Sequence, residues 1–140
     1  MAVHVLAVLA YKEGDRVTSA MLAGSINTNP VIVRRLLLAL QKAKLVETGK
    51  GAGSGSRLSR SPARINMAEV YRAVEDVEAF AKPSRKSSAA CPVGNCMMGI
   101  LDKIFTSAQS AMERDLEKTT LAGVITQVKA SCGCDGKKVV

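Results

Sequence analysis

The sequence predicts a mainly α chain with one small β wing, and three observations carry that prediction. Apolar residues recur at helical spacing through most of the chain. An Asn-Pro pair, Asn29-Pro30, separates two of the helical stretches by only a few residues. A single glycine-rich tract, TGKGAGSGSRLSRSP, is flanked by short segments of extended character and interrupts the helical pattern.

The elements follow in order. AVHVLAVLAYKEG predicts a helix with Val5, Leu6, Leu9 and Ala10 as its inward stripe, ending near Gly14. His4 reads as a helix-face histidine, because no His or carboxylate lies at ligand spacing from it. Thr18 caps a second helix with Met21, Leu22 and Ile26 on its apolar side, broken by Gly24 and by Asn27, Thr28 and Asn29. Asn29 then caps a third helix that opens with Pro30, a residue suited to the first helical position. Along it Val33, Leu36, Leu37 and Leu40 line one side, whereas Arg34, Arg35, Gln41, Lys42 and Lys44 mostly escape that side. Two helices joined by a tight turn, the second with a free basic face, make a helix-turn-helix, which points to duplex DNA.

Leu45, Val46 and Glu47 start a short strand, and Arg57, Leu58, Ser59 and Arg60 resume alternation after the glycines, so the tract reads as a wing rather than a flexible linker. A slim tip carrying Arg suits a narrow minor groove. No Lys-Ser or Lys-Thr pair follows the glycines into a helix, which excludes a phosphate-binding loop of the nucleotide-hydrolase kind. Asn66, with Glu69 as the far side of a capping box, starts the helix MAEVYRAVEDVEAF, whose apolar face is Met67, Val70, Tyr71 and Val74. A polar link follows over residues 81–90, basic at Lys82, Arg85 and Lys86. The last long segment places Ile100, Leu101, Ile104, Phe105, Ala108, Ala111, Met112 and Leu116 on one helical stripe. So much apolar surface on one helix needs cover, and a twofold partner supplies it while duplicating the recognition helix. Thr119 or Thr120 starts a final short helix through Lys129.

This divides the chain into a winged helix-turn-helix domain over 1–80, a cysteine-containing linker over 81–96, a dimerisation helix with a short final helix over 97–130, and a tail over 131–140. A formal charge of +8, from 20 basic and 12 acidic residues, suits a polyanionic partner. The absence of Trp and scarcity of Phe and Tyr argue against single strands held by base stacking. With one His, no acid/base pair and no nucleotide loop, the sequence offers no constellation for an enzyme. No apolar run approaches the roughly 20 residues of a membrane span, and the start lacks the pattern of a secretory signal. The expected compartment is the cytoplasm, where the four cysteines stay mostly reduced.

Taken in order, NTNPVIVRRLL, GSGSRLSRSP, INMAEVYRAVE and CPVGNCMMGILDKIF resemble the Rrf2 family of bacterial winged-helix repressors, and within it the YwnA-like subgroup that carries a Cys-Pro-Val-Gly element ahead of the dimerisation helix. The resemblance implies a homodimer on a palindromic operator, with the recognition helix in the major groove and the wing in the minor groove. Cluster-binding members use three closely spaced cysteines here, whereas this chain has Cys91 and Cys96 and then none until Cys132.

Thr28, Asn29, Val31, Arg34 and Arg35 are the candidates for base edges and nearby phosphate, Lys42 and Lys44 for phosphate, and Arg57 and Arg60 for the wing contact. Cys91, before Pro92 at a helix start and near Lys82, Arg85 and Lys86, is the candidate redox sensor, because helix N-termini and cations raise thiol reactivity. Cys96 lies five residues on, so a Cys91–Cys96 disulfide is conceivable if the intervening PVGN turns. Zinc or an iron–sulfur cluster on Cys91, Cys96, Cys132 and Cys134 is the alternative, although the spacing supports it poorly. The reading is therefore a dimeric DNA-binding repressor responsive to thiol oxidation or electrophiles, with metal control or a protein-interaction module as alternatives, and no cofactor is assigned.

Overall fold

The computed structural model describes residues 1–12, 14–49, 51, 53–75, 80 and 91–132. Among the described residues six α-helices and a two-stranded antiparallel sheet follow one another: α1 (Ala2–Tyr11), α2 (Ser19–Ile26), α3 (Pro30–Lys42), β1 (Val46–Thr48), β2 (Ser56–Leu58), α4 (Met67–Val74), α5 (Pro92–Glu117) and α6 (Leu121–Cys132). The architecture is a winged helix-turn-helix with an appended long helix.

Local sequence sets the helix ends. The Met21 N–H donates to Thr18 Oγ1 at 3.3 Å, and the Val31 N–H donates to Asn29 Oδ1 at 2.8 Å. At α4 the capping box closes in both directions: Glu69 N–H to Asn66 Oδ1 at 2.9 Å, and Asn66 N–H to Glu69 Oε2 at 3.1 Å. The break between α2 and α3 falls at Asn27, which adopts the left-handed conformation at φ 55°, and Gly24 stays inside α2. Helix α3 ends on Lys44 at φ 57°, with Lys44 N–H on the Gln41 carbonyl and Leu45 N–H on the Leu40 carbonyl, both at 2.9 Å. That pair of bonds is the Schellman pattern, here without glycine. The Ser59 hydroxyl, donating to the Lys44 carbonyl, fastens the unusual turn to the far side of the wing.

The core is continuous. Leu6 and Leu9 of α1, Leu22 of α2, Leu40 of α3, Leu45, Ile65 and Leu121 are all fully buried in one cluster. Leu121 belongs to α6, so the C-terminal helix returns to the winged core. Its Leu121 N–H donates to the Ile65 carbonyl at 2.8 Å, and the Met67 N–H donates to the Thr119 carbonyl at 2.9 Å. Of the stripe predicted for α2, Leu22 is buried but Met21 faces solvent, and Ala23 takes the inward place.

Helix α5 differs in kind: none of its 26 residues is buried. The single stripe expected from the sequence divides between two faces. Leu101, Phe105, Ala108, Met112 and Leu116 are half-buried, and Phe80 stacks on Phe105 with ring centroids 5.2 Å apart. Arg72 of α4 ties this side down through Glu113 at 2.7 Å and Glu117 at 2.8 Å. Val93, Met97, Ile100 and Ile104 are exposed on the other side. Their spacing of four, three and four residues is that of a helix-pairing seam.

Three boundaries move from the sequence reading. Helix α4 closes at Val74, and the rest of the expected MAEVYRAVEDVEAF helix falls largely outside the described residues. Helix α5 begins at Pro92, so Cys96 lies within it rather than ahead of it. Helix α6 continues past Lys129 to Cys132. The link over 81–90, with Lys82, Arg85 and Lys86, lies outside the described residues, as does Cys134.

Candidate nucleic-acid interface

Helix α3 separates its two faces cleanly. Val33, Leu37 and Leu40 are buried, while Val31, Arg34, Arg35, Leu38, Gln41 and Lys42 are exposed on the opposite side. A cleft of about 510 Å³ lies between this outward face and the wing, with Ser19, Arg34, Leu38 and Gln41 on one wall and Thr48 and residues 53–56 on the other. The Arg34 Nε–H donates to Ser19 Oγ at 3.3 Å, which aims the guanidinium from α3 across α2 and leaves its terminal nitrogens available. Arg35, Lys42 and Lys44 are exposed along the same helix and its exit.

Thr28 sits half-buried in the turn, its N–H on the Ala23 carbonyl at 3.0 Å. Asn29 is exposed, but its side-chain oxygen is taken by the α3 cap, so only its amide nitrogen is free to meet DNA.

The two wing arginines are placed differently from the expectation. Arg57 and Arg60 face away from the α3 cleft, lining a second depression with Glu47 and Pro62. Arg57 pairs with Glu47 directly across the hairpin at 3.0 Å, and Arg60 pairs with Glu69 of the capping box at 2.6 Å. Burial tends to raise the Glu69 pKa, but the hydrogen bond from Arg60, the Asn66 N–H and the charges of Arg60 and Arg72 outweigh it and hold the carboxyl below its ordinary range. Both arginines therefore brace the wing.

A cation the sequence reading missed stands at the wing instead. Val17 exchanges backbone hydrogen bonds with Ser56, at 2.9 and 2.8 Å, adding a one-residue third rung to the sheet. Arg16 beside it reaches the Gly55 carbonyl with Nη1 at 3.5 Å. Gly55 sits at φ +66°, and a Cβ there would meet the Arg16 backbone at 2.9 Å, so the close approach requires glycine. One bridged residue is too short to leave a periodic signal, and the glycine at the far end of the tract was its one trace in the sequence.

Cys91 and Cys96 are not brought together. Cys91 and Cys96 are exposed free thiols, and Cys91 acts as the N-cap of α5, its Sγ accepting the Gly94 N–H at 3.4 Å. In an α-helix, residues five apart have Cα atoms roughly 8–9 Å apart and point about 140° away from each other. That exceeds the span of a disulfide, so with PVGN helical the two thiols stay unbridged in this conformation.

Cationic recognition helix, supporting helix and wing together define the winged helix-turn-helix class of DNA-binding regulators. Within that class the chain belongs to the Rrf2 family: the family model, described as an iron-dependent transcriptional regulator, matches residues 1–127. It is 36% identical over 128 residues to YwnA of Bacillus subtilis (strain 168), provisionally named an HTH-type transcriptional regulator, covering 91% of this chain and 94% of that protein. A crystal structure provisionally described as a DNA binding protein matches with a TM-score of 0.71 at 37% identity, over 89% of this chain and 95% of the other. A transcriptional regulator from Lactobacillus plantarum, also provisionally so described, shares the fold with a TM-score of 0.75 at 24% identity, over 94% and 87% of the two chains. The chain is thus a DNA-binding transcriptional regulator and not an enzyme. Among the described residues no helix is long and apolar enough to cross a membrane.

The family description names iron, a metal that needs several convergent ligands. Among the described residues no group of three or more His, Cys, Asp or Glu side chains converges on one point, and Cys91 and Cys96 diverge around α5. Two diverging thiols do not make a metal or cluster site, so the described residues do not fit one.

Proposed function

We propose that the chain is a homodimeric repressor of palindromic operators whose occupancy falls when Cys91 is oxidised or alkylated. The observation that carries the DNA side is the outward face of α3, where Arg34 keeps its terminal nitrogens available in a cleft of about 510 Å³ beside the wing and Arg35 is exposed on the same helix. Arg34 and Arg35 read guanine acceptors, while Asn29, Lys42 and Lys44 meet nearby phosphate, with Thr28 setting the turn. Arg57 and Arg60 hold the wing through their carboxylate partners, and Arg16 supplies its free charge.

Pairing rests on α5. Its exposed seam of Val93, Met97, Ile100 and Ile104 meets the same seam of a second copy, the isologous arrangement that a twofold axis requires. The winged domains, residues 1–80, are then carried on α5 at a fixed separation. Half-sites about 34 Å apart leave little tolerance in that separation, so a small shift at α5 breaks simultaneous docking.

Cys91 is the point of control because its sulfur caps the helix that sets the separation. A peroxide supplies the oxidant: the thiolate sulfur attacks the O–O bond, an S–O bond forms as O–O breaks, and hydroxide leaves. The resulting sulfenic acid, or a bulky alkyl group, displaces the Gly94 N–H and frays the first turn of α5 beside Val93 and Met97. The test is a titration of reduced protein against a duplex selected by that protein from a random pool, repeated after peroxide and with Cys91→Ser. Binding lost on oxidation, restored by reductant and insensitive in Cys91→Ser is the expected result. Loss in Cys91→Ser as well, or binding indifferent to peroxide, overturns the thiol control while leaving the DNA assignment in place.

A further inference from the structure

The first turn of α3 carries an anomaly. Val31 and Ile32 are 49% and 47% exposed, although each is β-branched and a poorer helix former than the polar residues ordinarily found on such a face. Neither belongs to the α5 seam, and neither closes the core. About half of each side chain stays in solvent, so folding leaves much of this apolar surface uncovered. They lie at the N-terminal end of the helix, the end whose side chains reach base edges in this class of fold.

The chemistry around them narrows what they meet. Val31 shares the outward face with Arg34, Arg35 and Leu38 at spacings of three, four and seven residues. The charged groups on that face are donors, the Gln41 amide lies more than two turns further along the helix, and Asn29 Oδ1 at the helix start is held by the Val31 N–H. Guanidinium donors suit guanine and offer nothing selective to thymine. The major groove presents a single apolar feature, the C5-methyl group of thymine. A β-branched side chain in a helix holds essentially one χ1 rotamer, so it meets such a methyl without losing rotamer freedom.

We propose that Val31 and Ile32 read thymine methyl groups, so that each operator half-site carries a thymine beside the base read by arginine. This rests on the duplex-binding reading above and names the sequence feature that reading leaves open. The test starts from the full chain and a duplex it selects from a random pool, in which each thymine is replaced singly by deoxyuridine, removing only the methyl group. At one or two positions per half-site the affinity should fall about fourfold, the equivalent of one buried methyl. The double variant Val31→Ala/Ile32→Ala should bind more weakly and show no such dependence. Both side chains are exposed and alanine favours the helix, so the variant keeps its fold, checked by its unfolding midpoint. A selected duplex indifferent to deoxyuridine, or one whose dependence persists in the double variant, overturns the methyl reading and leaves the regulator intact. Selection of no preferred duplex overturns both, and the exposed pair then belongs to a protein interface.

Discussion

Helices α3 and α5 are both amphipathic, yet they solve the problem of their apolar faces in opposite ways. Helix α3 buries Val33, Leu37 and Leu40 in its own chain, and what remains outside is available to a ligand. Helix α5, twice as long, buries nothing completely, and Ile100 and Ile104 remain more than half exposed. The first is a finished surface whose rigidity comes from the core beneath it. The second leaves an apolar seam open, which in the proposed dimer is half of an interface. In the proposed dimer, recognition and control thereby fall on separate elements, with α3 reading the duplex and α5 deciding whether two copies reach it together.

The contrast breaks most visibly in the core. Leu40→Ala should cost about 2–5 kcal/mol in denaturant unfolding, because Leu40 is fully enclosed and its removal leaves a cavity. An effect within the range of surface substitutions would show that the α3 face is not anchored as described. On α5 the paired change Ile100→Glu/Ile104→Glu should spare the winged core but weaken self-association. Losing roughly 1.5 kcal/mol of burial per isoleucine corresponds to at least a hundredfold increase in the dimer dissociation constant, read by sedimentation equilibrium. Unchanged association would place the interface elsewhere.

Back on α3, Arg34→Ala or Arg35→Ala should cost about 1–3 kcal/mol of affinity concentrated at one base pair of the half-site. An equal loss across all duplexes would mark that arginine as a phosphate contact. The smallest expected effect concerns the brace under the wing. Glu69 has a lowered pKa in the folded chain, so its ionised form stabilises the fold above the ordinary value of 4.5, and that contribution disappears as pH falls through the lowered folded value. Denaturant midpoints of Glu69→Gln should accordingly be lower than those of the parent at neutral pH and converge with them once the pH has fallen through that lowered value. A constant offset at all pH values would assign the loss to the capping box alone.

What was legible in the sequence was local. Thr18, Asn29 and Asn66 were readable as caps because each accepts a hydrogen bond from a residue two or three positions on. The buried face of α3 was readable because one helical period separates inside from outside. What was not legible depends on residues distant in the chain. Arg57 and Arg60 carry charge that looks free until hairpin register and the α4 cap bring Glu47 and Glu69 beside them. The one-residue bridge at Val17 leaves no periodic pattern, and Gly55 is its one trace. On α5 a 3.6-residue period locates apolar residues but cannot tell which neighbour covers them, so Ile100 and Ile104 merged with Leu101 and Phe105 into one stripe that the fold divides.

Two exposed seams meeting across a twofold axis is the claim on which recognition, pairing and thiol control all depend. Its most direct test is the stoichiometry of the reduced protein on its selected duplex, measured by sedimentation velocity of the complex. Two chains per duplex, falling to one or none with Ile100→Glu/Ile104→Glu, is the predicted result. A single chain bound with undiminished affinity would contradict it.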